Sequence, residues 1–153
     1  LARLWMPSNF GDVSTKFLAA FLKRVDGVGN VSLKGGYHVH TEFLPMGDAA
    51  HRVDLVIETD MAIIGIEAKI KAPAEESQLT RYARELEVRA RQKGTAHRHV
   101  LIYLGPRTLN ECSALVATWS TIASAAREVA RSATGSSKRL LRDFADHTST
   151  FRS

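Results

Sequence analysis

The sequence contains very little cysteine and no long apolar segment. Cys112 is the only cysteine among 153 residues, so an internal disulfide is impossible and a cysteine-rich zinc site is excluded. No window holds the roughly twenty apolar residues that a membrane-spanning helix requires. The N-terminus also lacks the basic and apolar regions of a secretory signal. We therefore expect a soluble protein in a reducing, cytoplasmic compartment, with no membrane partner.

The length of the chain suits one domain. A chain of 153 residues buries roughly two thirds of the surface that its unfolded form exposes, which is enough for one compact core. We expect a single domain over residues 1–153, with a core at about 12–105 and a C-terminal helical extension at about 113–147. Because the first residue is Leu1 rather than methionine, we also expect that an upstream segment is missing.

Positive charge exceeds negative charge, and the excess is concentrated in one region. The chain carries 21 Lys and Arg against 16 Asp and Glu, a net charge of +5. Residues 81–107 contain seven basic and only two acidic residues. A basic surface attracts polyanions such as the phosphate backbone of nucleic acid, although a solvated helix face explains the charge equally well. DNA is the expected partner, with candidate contacts at Arg52, Arg81, Arg84 and Arg89, of which Arg52 could instead pair with Asp54.

Hydrophobic periodicity predicts an α/β fold with helices flanking a mixed sheet. Residues 13–25 have apolar side chains at helical spacing, with Asp12 or Ser14 as the candidate cap. Strand patterns occupy 35–45, 53–58, 62–70 and 99–105. A second helix is expected at 73–94, with Pro73 in its first turn and Gly94 at its end. Two extra C-terminal helices, at 113–132 and 138–147, complete the order α-β-β-β-α-β-α-α.

The segment "RVDLVIETDMAIIGIEAKI", residues 52–70, reads as a β-hairpin with charged residues that are costly to bury. A turn centred on Asp60 and Met61 places Asp54 opposite Glu67. Opposed side chains lie about 5 Å apart at Cβ, where two like charges are destabilising. Lys69 shares their face because side chains alternate along a strand. The alternate positions are apolar and are expected on the other face: Val53, Leu55, Ile57, Ile64, Ile66 and Ala68.

The spacing of these charges leaves two chemical interpretations open. Two close carboxylates form a hard oxygen site that suits Mg²⁺ or Mn²⁺. A divalent ion there can lower the pKa of a bound water and stabilise charge on a phosphoryl oxygen, while Lys69 orients or deprotonates the water. Alternatively, Lys69 neutralises Asp54 and Glu67 in a buried ion-pair triad that holds no metal.

The hairpin and the helix after it resemble the active-site region of the PD-(D/E)XK nuclease superfamily. The segments that carry the resemblance are "RVDLVIE", "IGIEAKIKA" and "SQLTRYAREL". They place an Asp at the start of one strand, Glu-x-Lys in the next and Gln-x-x-x-Tyr on the following helix, as in RecB-like members. Val53 stands where the family's name has proline. The resemblance implies a restriction-endonuclease-like α-β-β-β-α-β core.

The resemblance also implies roles for individual residues. Asp54 and Glu67 would bind the metal together with the backbone carbonyl of Ala68, and Lys69 would be the catalytic lysine. Gln78 and Tyr82, at i and i+4 on one helix face, would contact the scissile strand or position Lys69; packing at the core edge is the alternative. The implied activity is that of a Mg²⁺-dependent deoxyribonuclease, with Mn²⁺ as a second suitable ion, acting as an endonuclease or as an exonuclease.

Other polar and aromatic residues carry weaker predictions. Glu42, in the strand before the hairpin, is the best candidate for a further acidic metal ligand, and an exposed strand residue is an equally good interpretation. His38 and His40 on the same strand are more typical of surface residues than of ligands. Trp119 is expected in the core. The two C-terminal helices would cover the sheet or supply the face of a homodimer.

A non-catalytic nucleic-acid-binding or scaffolding domain on the same fold is the alternative function. Such a domain would keep the basic surface without turnover. It would have no reason to hold two mutually repelling carboxylates together. The intact set of Asp54, Glu67 and Lys69 therefore favours the enzyme.

Overall fold

A computed structural model describes residues 1–43, 53–71, 74–94, 97–105 and 113–151, with only the backbone of Glu42 and Phe43. The helices are α1 (Ala2–Trp5), α2 (Pro7–Phe10), α3 (Asp12–Arg24), α4 (Glu76–Lys93), α5 (Trp119–Ser132) and α6 (Gly135–Thr148). The strands are β1 (Tyr37–Phe43), β2 (Val53–Thr59), β3 (Ala62–Ala68), β4 (Arg98–Gly105) and β5 (Leu115–Thr118). Among the described residues, no helix is both long and apolar enough to cross a membrane.

The five strands form one mixed sheet in the order β1-β2-β3-β4-β5. β1, β2 and β3 pair antiparallel, whereas β3, β4 and β5 pair parallel. The C-terminal ends of β3 and β4 therefore lie at one edge of the sheet, beside the N-terminal end of β2. The predicted mixed sheet flanked by helices is confirmed.

Helices cover both faces of the sheet. On one face, α3, α5 and α6 pack against a large apolar cluster that includes Phe17, Phe21 and Ile122. On the other face, α4 packs against β3 and β4 through a smaller cluster that includes Leu79, Tyr82 and Leu86. These α4 residues recur at helical spacing, which explains why the sequence pattern identified the helix.

The start of α3 differs from the prediction. Gly11, rather than Asp12 or Ser14, is the N-cap, and its φ of 57° lies in the region that glycine adopts at little cost. Asp12 is the first helical residue, and the hydroxyl of Ser14 donates to the Met6 carbonyl at 3.0 Å instead of capping. The short helices α1 and α2, which precede this turn, were not predicted.

The helix predicted at 113–132 is wrong over its first residues. Leu115–Thr118 form β5, because parallel pairing with β4 satisfies their backbone groups. The helix begins only at Trp119, after the Thr118 hydroxyl accepts the Thr121 N–H at 3.3 Å. The last helix begins at Gly135 rather than at Lys138. A four-residue strand is too short to show a period of its own.

The ends of α4 agree with the prediction in part. The helix begins at Glu76, with Glu75 as its N-cap, rather than at Pro73, which lies outside the described residues. Its end is confirmed, because Gly94 terminates it with a φ of 143°. A glycine tolerates that backbone angle since it has no Cβ.

The predicted register of the hairpin is confirmed. Leu55 pairs with Ile66 and Val56 with Gly65, which puts Asp54 opposite Glu67 one position further on. The predicted direction of Val53 is wrong, because Val53 joins the apolar cluster beneath α4 rather than the one that contains Leu55. Gly65 has no side chain, so a Val53 methyl carbon can lie 3.3 Å from the position that a Cβ would occupy there.

We predict that Gly65→Ala destabilises the fold by about 1–3 kcal/mol, because a Cβ at this position would lie 2.6 Å from the Leu86 Cδ1 atom. Urea denaturation measures the cost. In the double variant Gly65→Ala/Leu86→Ala the clash with Leu86 is relieved, so the total cost should be smaller than the sum of the two single costs. Strictly additive costs would contradict this account of the contact.

Candidate active site

Asp54 and Glu67 lie where the hairpin strands end. The carboxylate of Asp54 is exposed, and its Oδ2 atom accepts the backbone N–H of Ala68 at 3.1 Å. This hydrogen bond links the second residue of β2 to the last residue of β3, at the open end of the hairpin. The register therefore brings the two acidic residues together, as the sequence predicted.

Glu67 is the most deeply buried acidic side chain at this edge, at 2% exposure. Its Oε1 atom lies 3.0 Å from the Nζ atom of Lys69, whose side chain is 34% exposed. Its Oε2 atom is also buried and has no hydrogen-bond partner in the described part of the chain. Lys69 thus neutralises one side of a carboxylate whose other oxygen is unsatisfied, which is costly in a protein interior.

The electrostatics of this pair follow from burial. Desolvation raises the pKa of Glu67 above its ordinary value, and the nearby charge of Asp54 raises it further; the hydrogen bond from Lys69 opposes both effects without cancelling them. The same hydrogen bond raises the pKa of Lys69, despite partial burial. The lysine is therefore held in its charged form, whereas Glu67 retains a tendency to bind a proton or another cation.

Helix α4 brings Gln78 and Tyr82 to the same cluster. The Gln78 Nε2 group donates to the Tyr82 hydroxyl at 2.9 Å, and Tyr82 is buried beside the sheet. Burial is the main reason that the pKa of Tyr82 is raised, and the charges of Glu67 and Asp54 add to it. The Tyr82 phenol is therefore close enough to both carboxylates for their charges to affect its pKa. This position agrees with the helix face on which the sequence placed Gln78 and Tyr82.

Sequence reasoning missed a contact to the backbone of Lys69. The indole Nε1–H of Trp119 donates to the Lys69 carbonyl at 2.8 Å. Trp119 is 7% exposed, so the prediction that it lies in the core is confirmed, but the hydrogen bond was not foreseen. The contact would have been suggested by the order of the elements, in which β4 is followed by β5 and then by α5. The incorrect prediction of helix over the residues of β5 concealed this order.

A second charged cluster lies at the other end of the hairpin. Glu58 has Lys93 Nζ at 2.8 Å, with His40 Nε2 and Arg89 Nε each at 3.7 Å. Burial raises the pKa of Glu58, but the hydrogen bond from Lys93 and the neighbouring positive charges together lower it below its ordinary value. The structure thus places His40 beside Glu58. The ring of His38 lies 6.4 Å from that of His40.

The remaining predicted residues occupy different parts of the molecule. In β1, Thr41 pairs with Leu55 and Phe43 with Val53, so the backbone of Glu42 lies opposite Asp54; its side chain is outside the described part. Arg52 lies outside the described residues. Arg81 and Arg84 are exposed on α4.

A comparison with protein families gives a match over most of the chain. The model of the PD-(D/E)XK nuclease superfamily matches residues 9–146. The chain belongs to this superfamily. No curated protein and no solved structure matches it significantly. The five-stranded mixed sheet and its flanking helices agree with the restriction-endonuclease-like fold of PD-(D/E)XK nucleases.

PD-(D/E)XK nucleases generally use divalent metal ions, and the donor atoms at this edge fit such an ion. Among the described residues, no group of three or more His, Cys, Asp and Glu is arranged to hold a metal. Two carboxylates are nevertheless together, and no residue that the structure describes bonds to the buried Oε2 atom of Glu67. A hard cation would satisfy that oxygen and remove the repulsion between Asp54 and Glu67.

We predict opposite pH effects at the two ends of the hairpin. Because the folded-state pKa of Glu67 is raised above 4.5, Glu67 disfavours folding as pH rises from 4.5 through its folded-state value. Without metal, Glu67→Gln should abolish this loss of stability. Glu58 has a lowered pKa, so its contribution is lost as pH falls below 4.5, and Glu58→Gln should abolish that separate loss.

Urea unfolding of the wild type and both variants between about pH 3 and 8, in the presence of a chelator, measures these effects. Identical pH dependence in wild type and Glu67→Gln would contradict the assignment of Glu67.

Proposed function

We propose that this nuclease-superfamily protein is a metal-dependent deoxyribonuclease that hydrolyses phosphodiester bonds at the Asp54, Glu67 and Lys69 cluster. The observation that carries the proposal is the buried Oε2 atom of Glu67, which has no hydrogen-bond partner among the described residues. It lies next to Asp54, on the carboxylate that also contacts Lys69. A purely structural ion pair has no need for a second carboxylate, whereas a metal site does.

The proposed metal ligands are the carboxylates of Asp54 and Glu67 and the backbone carbonyl of Ala68, with Glu42 as a further acidic ligand. The Ala68 N–H donates to Asp54 at 3.1 Å, which fixes one Asp54 oxygen and leaves the other for a ligand. The backbone of Glu42 lies opposite Asp54 in the neighbouring strand. Mg²⁺ is the proposed ion and Mn²⁺ a suitable replacement, because both prefer oxygen donors. When bound, it supplies Lewis-acid activation of water and of the phosphoryl oxygen.

Lys69 has two suitable roles in the reaction. Its ammonium is held in the charged form by Glu67 and is 34% exposed, so it can reach a phosphate oxygen. There it stabilises the negative charge that develops as water attacks phosphorus and the bond to the leaving oxygen breaks. It also orients the attacking water by hydrogen bonding. Gln78 and Tyr82, joined at 2.9 Å, form a polar edge for the scissile strand beside Lys69.

The proposed nucleic-acid contacts are Arg52, Arg81, Arg84 and Arg89. Arg81 directly precedes Tyr82, so it lies in the turn of α4 that is next to the carboxylates. Arg89 is nearer the other end of the helix, and its Nε atom lies 3.7 Å from Glu58, which offsets part of its charge. Arg81 and Arg84 should therefore contribute most to phosphate binding.

We predict that Asp54→Asn and Lys69→Ala each lower the cleavage rate of DNA by about 100-fold or more, because each removes a charge from the reacting centre. Asp60→Asn is the matched control, since it makes the same change at the opposite end of the same hairpin. Linear, nicked, branched and single-stranded DNA with Mg²⁺ or Mn²⁺ should be compared. Undiminished cleavage by both variants would show that the site is wrongly assigned. Binding of DNA without any cleavage would favour the non-catalytic domain.

Thermal denaturation tests the metal site without an activity assay. Mn²⁺ at 100 times its dissociation constant should stabilise the wild type by about 2.7 kcal/mol, and Asp54→Asn should reduce this effect while Asp60→Asn should not. An equal shift in all three proteins would place the metal elsewhere.

We predict that Arg81→Ala and Arg84→Ala each weaken DNA binding and reduce the salt dependence of the binding constant by about 0.9 in log–log slope per lost phosphate contact. Arg91→Ala is the control on the same helix, because Arg91 is paired with Glu87 at 2.6 Å. Fluorescence anisotropy over a range of salt concentrations, with a chelator to prevent cleavage, measures the slopes. Equal slopes for all three variants would exclude this face of α4.

A further inference from the structure

Lys69 lies just beyond the strand that carries Glu67. β3 ends at Ala68, so Lys69 is the first residue after the paired residues of the strand. Its Nζ atom contacts Glu67 at 3.0 Å, but the side chain is long and 34% exposed. Four rotatable bonds separate the ammonium from the backbone, so the position of that backbone limits where the charge can lie.

Two hydrogen bonds from different elements hold the peptide groups of Lys69. Its N–H donates to the Leu104 carbonyl in β4 at 2.8 Å. Its carbonyl accepts the indole Nε1–H of Trp119 at 2.8 Å. The first bond continues the sheet by one residue, whereas the second comes from the first residue of α5. Both the N–H and the carbonyl of Lys69 are therefore held by hydrogen bonds, at the point where β3 ends.

The indole is itself held in place from several directions. Thr118 caps α5 and also pairs with Gly105 at the end of β4. The ring of Phe151 lies edge-on to the indole, at 5.0 Å between centroids and 87° between planes. Trp119 is 7% exposed, so the indole that carries the donor is largely buried. A buried donor in fixed surroundings holds its acceptor more firmly than an exposed one.

We propose that Trp119 is a positioning residue for Lys69, and that its indole N–H sets the backbone geometry from which the lysine reaches the reacting phosphate. This inference rests on the proposed catalytic role of Lys69. Under this inference, β5 and α5 contribute to catalysis through the Trp119 side chain, in addition to covering the sheet. A misplacement of about 1 Å at a reacting group can cost 100-fold in rate, so loss of this bond should be measurable.

Two substitutions separate the hydrogen bond from the packing of the indole. Trp119→Phe keeps an aromatic ring in the buried site but removes the N–H donor. Trp119→His keeps a ring N–H near the position of the indole nitrogen but removes the six-membered ring, which leaves a cavity. If Trp119 acts only through packing, activity must follow stability in both variants. If Trp119 acts through its N–H donor, the more stable of the two variants is the less active one.

Steady-state cleavage of a linear DNA duplex with Mn²⁺ ranks the variants by activity. Thermal denaturation ranks them by stability. We expect Trp119→Phe to lower kcat about 10- to 100-fold, with KM within about twofold of wild type, because binding contacts remain. Trp119→His should lose more thermal stability than Trp119→Phe yet keep a higher kcat. A kcat that falls in the same order as the melting temperature overturns the inference.

Lys69→Ala distinguishes failure of this inference from failure of the proposed function. If Lys69→Ala cleaves DNA at the wild-type rate, the proposed catalytic role of Lys69 fails and the inference fails with it; if Asp54→Asn does so too, the proposed function fails as well. If Lys69→Ala is inactive but Trp119→Phe keeps the wild-type kcat, the inference alone fails.

Amide hydrogen exchange provides a test that needs no activity. Exchange at the Lys69 amide should be faster in Trp119→Phe than in wild type and slower in Trp119→His than in Trp119→Phe. Unchanged exchange in Trp119→Phe would show that the indole does not hold this backbone, and would overturn the inference.

Discussion

The burial of one carboxylate beside another is the constraint on which the rest of the site depends. Glu67 is almost inaccessible to solvent, and Asp54 lies opposite it across the hairpin. A pair of this kind is stable only if cations surround it. Lys69 supplies one positive charge directly at 3.0 Å. The Oε2 atom of Glu67 has no hydrogen-bond partner among the described residues, because Lys69 contacts only the Oε1 atom.

Much of the fold followed from hydrophobic periodicity because most elements were long enough to show one. The stripe on α4 and the alternation along the hairpin identified a helix and two strands, and the turn set a register that the structure confirms. The four residues of β5 were misread as helix, because so short a strand shows no period of its own. The start of α3 depends on the backbone angle of Gly11, which apolar spacing does not encode.

The candidate site was predictable where its residues share one hairpin or one helix face. Asp54, Glu67 and Lys69 follow from alternation and register. Gln78 and Tyr82 came from the resemblance to PD-(D/E)XK nucleases, and their i and i+4 spacing places them on one helix face. The bond between Trp119 and Lys69 joins residues fifty positions apart in the chain. This bond depends on the position of the first turn of α5. The parallel pairing of β4 and β5 sets that position, and the pairing exists only in the assembled sheet. The Val53 side chain was misplaced for a related reason, since the space it fills exists only because Gly65 lies next to it.

Helix α4 is attached to the sheet at two separate points. Near its start, Gln78 and Tyr82 adjoin the carboxylates of the candidate site, and near its end Lys93 and Arg89 contact Glu58. Asp54 and Glu58 are about 13 Å apart along β2, given the rise of an extended strand. These polar contacts add to the apolar packing of Leu79, Tyr82 and Leu86 against β3 and β4. Together, the polar contacts and the apolar packing fix which side of α4 faces solvent, and with it the exposed positions of Arg81 and Arg84.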